Sequence, residues 1–457
     1  MLAPPRCVKR ENNPMRLWIK DPLAILAPHA ARGLVVEGTR IVELIGRGQG
    51  PATRVDATFD ASRHVVLPGL VNTHHHFYQT LTRAHPAAIN RDLFPWLTAL
   101  YPIWARLRPE HLRVAVRLAL IELMLSGCTT AADHHYLYPE GLENAVDIEV
   151  EEARALGLRM TVSRGSMNLS KKDGGLPPDA VVQDEETILR DSERVLKLFH
   201  DPATGAQIRI ALAPCSPFSV TKNLMSETAR LADQYDCQLH THLAETKDEE
   251  RFCLEAYGMR PLDLLEETGW MSPRAWLAHG IHFSAGEVGR LGRAGVGVCH
   301  CAASNMVLAS GICPTHDLDL AGAPVGIGVD GSASNDSSNM MEAARHALMI
   351  GRLRYGASAI THLDVLRWAT EGSARCLGRT DIGRLAPGLE ADLALFTLDE
   401  PRFSGAHDPL AALVLCGAHR ADRVMAAGRW RVIGGMPEGV DLAALMAEHK
   451  AAAASFG

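Results

Sequence analysis

Three consecutive histidines close an apolar stretch of this chain: Leu67-Pro68-Gly69-Leu70-Val71-Asn72-Thr73-His74-His75-His76. In an extended segment alternate side chains point to opposite faces. His74 and His76 therefore project together, and two imidazoles on one side of a strand end can grip a divalent cation. The groups that would complete such a site stand at the ends of other apolar segments: Leu239-His240-Thr241-His242-Leu243-Ala244-Glu245, Leu277-Ala278-His279-Gly280 and Gly328-Val329-Asp330-Gly331. Neutral imidazoles with one carboxylate suit zinc or iron and leave room for water. One buried histidine is ordinarily a hydrogen-bonded core residue. Here the signal is the recurrence of His and Asp at separate segment ends.

The elements that must carry these groups are legible as an alternation. Short β-rich apolar segments cover Val65–His76, Thr129–Leu137, Leu158–Met167, Ile208–Cys215, Gln238–Glu245, Ala275–Phe283, Val296–Asn305 and Val325–Ser332. Helix-like runs such as Arg113–Leu125, Glu185–Phe199 and Lys222–Tyr235 lie between them. This alternation predicts a (β/α)8 TIM-type barrel, an α/β fold whose catalytic groups sit on the C-terminal ends of the strands. A doubly wound open sheet is the alternative; it would gather ligands at one crevice instead of around a ring. The two ends read differently, as short strands broken by glycines. Residues 15–64 and 384–437 are expected to form one small β-sandwich from both termini, with the barrel, 65–383, inserted between them. Residues 1–14 read as a loose extension, and 438–457 as a C-terminal helix and tail.

Composition narrows the partners. The chain has 457 residues, 47% of them hydrophobic, and a net charge of -7. No basic stripe stands out, which argues against nucleic acid. No apolar run is long enough to span a bilayer, and no signal-peptide core opens the chain, so no membrane partner is expected. The ten cysteines include no C-x-x-C pair. They read as reduced, packed thiols, which points to a cytoplasmic setting.

The motifs together resemble the amidohydrolase superfamily, in its cytosine/guanine deaminase and chlorohydrolase branch. The resemblance rests on Pro-Gly-Leu-Val-Asn-Thr-His-His-His (68–76), His-Thr-His-Leu-Ala-Glu-Thr (240–246), Ala-His-Gly (278–280), Val-Asp-Gly-Ser-Ala-Ser-Asn (329–335) and Gly-Leu-Glu-Ala-Asp-Leu-Ala-Leu-Phe (388–396). By position it implies metal ligands His74, His76, His242 and Asp330, with His75 turned away and His240 a structural partner. It implies Asp330 as base as well as ligand, Glu245 as proton donor to a ring nitrogen, and His279 as the group that polarises water and substrate. Many superfamily members bridge two metals with a carboxylated lysine on the fourth strand. Ile208-Arg209-Ile210-Ala211-Leu212-Ala213-Pro214-Cys215 has no lysine, so one divalent metal per chain is expected, zinc first and iron(II) as the alternative.

The implied activity is hydrolytic removal of an amine from a flat heterocycle, a small-molecule substrate. Residues 15–26 and 72–84 look most like the bacterial 8-oxoguanine deaminases. Hydroxyatrazine-type triazine N-alkylaminohydrolases and guanine or isoxanthopterin deaminases are the alternatives. Guanine deaminases hold their purine with an Arg-Phe pair after the fourth strand; here Cys215-Ser216-Pro217-Phe218-Ser219 stands instead. Gln79, Trp104, Cys215 and Asn305 are candidate substrate-side residues, Asn305 bracing the site from the seventh strand. His134 and His135 end the second strand, where they would either line the pocket or sit in a solvated loop. Relatives in this branch are commonly dimers or larger, so a homo-oligomer is expected.

Overall fold

The computed structural model describes residues 15–456; the expected extension over 1–14 lies outside the described residues. Eight parallel strands follow one another around a barrel: Leu70–Asn72, Cys128–His135, Arg159–Ser166, Ile208–Pro214, Gln238–Leu243, Ala275–His279, Gly297–His300 and Val325–Ile327. We number them one to eight. Each pairs in register with its neighbour in sequence, for example Leu239 with Ala275 and His242 with Ala278. Strand eight returns to strand one through Thr73 N–H donating to Ile327 O at 3.1 Å and Asp330 N–H donating to His74 O at 3.0 Å. Cys128–His135 and Arg159–Ser166 are buried along their whole length, as parallel strands covered on both faces must be. The (β/α)8 reading of the sequence is therefore borne out.

The helices between strands begin where a side chain can cap them. Asp184 accepts from Thr187 N–H ahead of Glu185–Phe199, and Thr221 accepts from Leu224 N–H ahead of Lys222–Tyr235. Such caps satisfy amide groups that the helix cannot pair internally. The helix read from Arg113 starts earlier, at Pro109, because proline suits the first turn.

Two further sheets flank the barrel. One has four strands, in the order Arg40–Leu44, Gly33–Glu37, Arg16–Lys20, Ala57–Asp60. The other has six: Met436–Pro437, Arg429–Ile433, Arg423–Ala426, Leu393–Thr397, His64–Pro68 and Ala24–Ile25. Ile19, Leu34, Val36, Val66, Leu393 and Leu395 share one buried core between them. A buried ion network ties the barrel to this region. Arg159, on strand three, donates to Glu390 Oε2 at 2.5 Å and to Asp392 Oδ2 at 2.9 Å.

Several elements differ from the sequence reading: strands five, six and eight stop earlier, at Leu243, His279 and Ile327. The apolar run Val65–His76 is not one strand. His64–Pro68 pairs with Leu393–Thr397 in the six-stranded sheet, and only Leu70–Asn72 enters the barrel. The switch occurs at Gly69, where a Cβ would lie 2.1 Å from Thr129 Oγ1, so the chain crosses between sheets where only glycine fits. Strand seven stops at His300, and Asn305 lies on a short helix, Ala302–Val307. Within 384–437 the chain also forms a helix, Pro409–Leu415, capped by Asp408.

Candidate active site

The tautomers of the clustered imidazoles follow from their hydrogen bonds. His240 Nδ1–H donates to Trp276 O at 2.8 Å, which leaves its Nε2 as an acceptor, and His74 Nδ1–H donates to that nitrogen at 2.8 Å. His240 is stacked on Trp276, with ring centres 4.2 Å apart. His76 Nδ1–H donates to His134 O at 2.8 Å, and His242 Nδ1–H donates to Cys215 O at 2.6 Å. In His74, His76 and His242 the lone pair is therefore on Nε2, and these three nitrogens converge. His76 Nε2 is 3.2 Å from His242 Nε2. Asp330 Oδ1 is 3.4 Å from His74 Nε2 and 3.3 Å from His76 Nε2. His74 Nε2 is buried with no hydrogen-bond partner. Burial lowers the pKa of all three rings, that of His242 to about 3. Neutral imidazoles held by outer hydrogen bonds, with orphaned lone pairs facing a carboxylate, are what a cation site requires.

His75 faces away, with Nε2 2.8 Å from Ser338 Oγ. His134 donates from Nε2 to Ala213 O and stacks on His242; its Nδ1 has no hydrogen-bond partner, and its ring offers a nitrogen within 4.8 Å of ligand nitrogens of His74, His76 and His242. Cys301 is grouped with His74, His279 and Asp330, their ligand atoms all within 4.8 Å of one another. Burial pushes the Cys301 thiol well above its ordinary range. It remains a thiol there, and the His/Asp set is the better ligand group.

The proton-transfer groups flank this cluster. His279 Nδ1–H donates to Asn305 Oδ1 at 2.9 Å, so Asn305 orients the ring without lining the cavity. His279 Nε2 faces Glu245 Oε2 at 3.5 Å and Asp330 Oδ2 at 3.7 Å. Burial works against a charge on His279, yet the carboxylates of Glu245 and Asp330 outweigh it and raise its pKa. Burial also lifts Glu245 to about 7. For Asp330, burial is outweighed by the imidazoles around it, His74 first and then His279 and His76; its carboxyl stays well below the usual range. Two carboxyls in one pocket are thus driven apart, one kept as an acid and one as a base. His279 and Asp330 both hold left-handed backbone, φ 72° and φ 65°. Such strain persists at sites where the surroundings over-determine it.

A small, partly open cavity gives onto these groups. It is lined by His76, Gln79, Trp96, Tyr101, Tyr136, Cys215, Ser216, Phe218, His242, Glu245, His279, Asp330 and Ser334, with leucines 93, 97 and 308 completing the wall. No Lys or Arg lines it. Gln79 Oε1 accepts from Ala333 N–H at 3.3 Å, and a Cβ at Gly331 would lie 2.0 Å from that oxygen. The amide is held close over a glycine that cannot be replaced without moving it. Gln79 and Cys215 stand on the cavity as the sequence reading placed them. Trp104 does not: it is fully buried, donates from Nε1 to Thr82 Oγ1 and packs edge-on against Tyr78 and Trp96. Its large apolar area is better used in the core. Tyr136, Ser216 and Ser334 also line the cavity, although no motif in the sequence points to them. Their cavity positions arise from loops whose paths the sequence pattern does not encode.

The model of the Amidohydrolase family matches residues 65–431. The chain is 63% identical over 444 residues to the 8-oxoguanine deaminase of Pseudomonas aeruginosa, covering 96% of this chain and 99% of that one. It is 35% identical over 411 residues to an isoxanthopterin deaminase from an unknown prokaryotic organism, covering 86% of this chain and 85% of the relative. Among solved structures, the atrazine chlorohydrolase of Arthrobacter aurescens complexed with zinc superposes with a TM-score of 0.90 at 31% identity, covering 96% of this chain and 100% of that one. With the barrel, the His/Asp cluster at its strand ends and these matches in hand, the chain belongs to the amidohydrolase family.

Proposed function

We propose that this protein is a metal-dependent hydrolytic deaminase that converts 8-oxoguanine and water to urate and ammonia. The observation that carries the chemistry is the convergence of the His74, His76 and His242 Nε2 lone pairs on the Asp330 carboxylate, beside a Glu245 held protonated near neutral pH. The donor set fits one zinc ion, iron(II) being the alternative, held by His74, His76, His242 and Asp330. Such a cation acts as a Lewis acid and lowers the pKa of a coordinated water to roughly 7.

The protein's own groups divide the remaining work. The flat ring enters among Trp96, Tyr101, Tyr136 and Phe218, with the amine-bearing carbon toward Asp330. Asp330 accepts a proton from the attacking water. Glu245 gives its proton to the ring nitrogen beside the attacked carbon, so no full negative charge builds on the ring. His279, held by Asn305, donates to the new oxygen. The proton taken by Asp330 then passes to the amine, which leaves as ammonia, while the hydroxyl proton passes to the Glu245 carboxylate as the C=O bond forms, so both carboxyls return to their starting states. Gln79, fixed by Ala333, offers its amide NH2 to a ring carbonyl. A lining without Lys or Arg suits a neutral ring. The relative named an 8-oxoguanine deaminase supports the choice of substrate, and the nine free cysteines of the described residues suit a reducing cytosol. We place the enzyme there as a homo-oligomer.

The deciding assay offers 8-oxoguanine, isoxanthopterin, guanine and hydroxyatrazine to the zinc-loaded enzyme. Ammonia release fastest from 8-oxoguanine is the expected result. Ethylamine release from hydroxyatrazine at a higher kcat/KM would move the assignment to triazine aminohydrolysis.

A further inference from the structure

We propose that Glu249 is a positioning residue: its buried carboxylate clamps the main chain that carries Glu245 and so fixes the line of proton transfer to the substrate. The inference rests on the role given above to Glu245.

Strand five ends at Leu243, and the chain then turns through Ala244, whose φ is 54°. A non-glycine residue in that region is strained and returns to ordinary backbone unless it is held. Helix Lys247–Tyr257 starts directly afterwards, with Thr246 accepting from Glu249 N–H. In a capping box the acidic residue at this position turns back to the N–H of the capping residue itself. Glu249 reaches further. Oε1 accepts from Ala244 N–H at 2.8 Å and Oε2 from Glu245 N–H at 3.0 Å. Both oxygens are committed, and the side chain is fully buried without lining the cavity. On the other side of the turn, Ala244 O accepts from Ile281 N–H at 2.8 Å and His282 N–H at 2.9 Å. These amides follow His279 closely. The strained turn is thus pinned between the end of strand six and the Glu249 carboxylate, and its pinning sets Glu245 Oε2 3.5 Å from His279 Nε2. A fixed acid is worth much to a proton transfer, because a shift of about 1 Å can cost about a hundredfold in rate.

The test is a double-mutant cycle on the zinc-loaded full chain, with 8-oxoguanine as substrate. Glu249→Gln keeps the shape but turns an NH2 toward one of the two N–H groups, so one clamp is lost. We expect kcat to fall about 10- to 100-fold, with KM within about twofold and metal content per chain unchanged. In a Glu245→Gln background the same change should cost less than about twofold, because a misplaced acid that cannot donate has nothing further to lose. Multiplicative losses, or an unaltered kcat in Glu249→Gln, would overturn the proposal. Full turnover by Glu245→Gln alone would instead remove the role of Glu245, an outcome distinct from the first two. If the amide variant does not fold, Glu249→Asp, which keeps the carboxyl group but shortens the reach, enters the same cycle under the same criteria.

Discussion

At the scale of single residues, the site works by committing every nitrogen. His240 illustrates it: it never faces the cavity, yet its Nε2 receives the His74 proton and leaves His74 Nε2 bare for a cation. His240→Ala should therefore weaken metal retention about 10- to 100-fold, as loss of an outer hydrogen bond to a ligating histidine does. Equilibrium dialysis against a zinc buffer measures this directly. Glu245 makes a different demand, since it must hold a proton before it can give one. Its carboxyl is lifted to about 7, so the protonated form dominates below that pH and is lost above it. The kcat/KM for 8-oxoguanine should accordingly decline as pH rises through about 7. Glu245→Gln should bind metal normally and lose about 10²- to 10⁴-fold in kcat, the usual worth of a general acid. Its residual rate should lack that alkaline decline.

At the scale of elements, the loop after strand one is the piece most in need of support, because it carries His74 and His76 beyond the end of the strand. Strand two provides it. Asp133 Oδ1 accepts from Phe77 N–H at 2.7 Å, immediately after His76, and His134 N–H donates to His75 O at 2.8 Å. Behind Asp133 lies Glu149 from helix Ala145–Leu156, both side chains fully buried. Burial lifts Asp133 to about 7; burial, reinforced by the Asp133 charge, lifts Glu149 well above its ordinary range. An Asp in the unfolded chain titrates near about 3.9. With the folded value raised, stabilisation from this pair is complete below about pH 4 and drains away as pH climbs through about 7. Relative to Glu149→Gln, the wild-type unfolding free energy should shrink between about pH 5 and about pH 8. Urea melts of both proteins across that range test the sign, and a widening difference would contradict it.

At the scale of the whole molecule, the barrel and the flanking sheets are joined through buried charge as well as apolar packing. Arg159 faces Glu390 and Asp392, all three almost fully buried. Removing the cation leaves the buried Asp392 without an ion-pair partner and Glu390 with only the more exposed Arg40, 3.4 Å away. Loss of one partner of such a group costs roughly 3–5 kcal/mol. Arg159→Met should lower the unfolding free energy read from urea melts by that order while leaving the KM of the remaining folded enzyme unchanged, because the network lies at the N-terminal end of strand three, away from the cavity. No helix among the described residues is long and apolar enough to cross a membrane.

The sequence by itself determined the strand–helix alternation and the identity of the groups at the strand ends. Apolar runs ended by His, Glu or Asp mark buried parallel strands, and periods of 2 and 3.6 residues are local properties of the chain. His74, His76, His242, Glu245, His279 and Asp330 could be named because His, Glu and Asp recur at separate segment ends and match the motifs of a known family, not because any one of them is a signal alone. Tertiary structure alone decided which way each imidazole presents its lone pair, since that depends on a Trp276 carbonyl or a Cys215 carbonyl supplied by another strand. It also decided that the run through Gly69 serves two sheets, that Trp104 belongs to the core and that Tyr136 reaches the cavity. Orientation, tautomer and proton affinity are set by neighbours distant in sequence, and only the closed barrel brings those neighbours within hydrogen-bonding range.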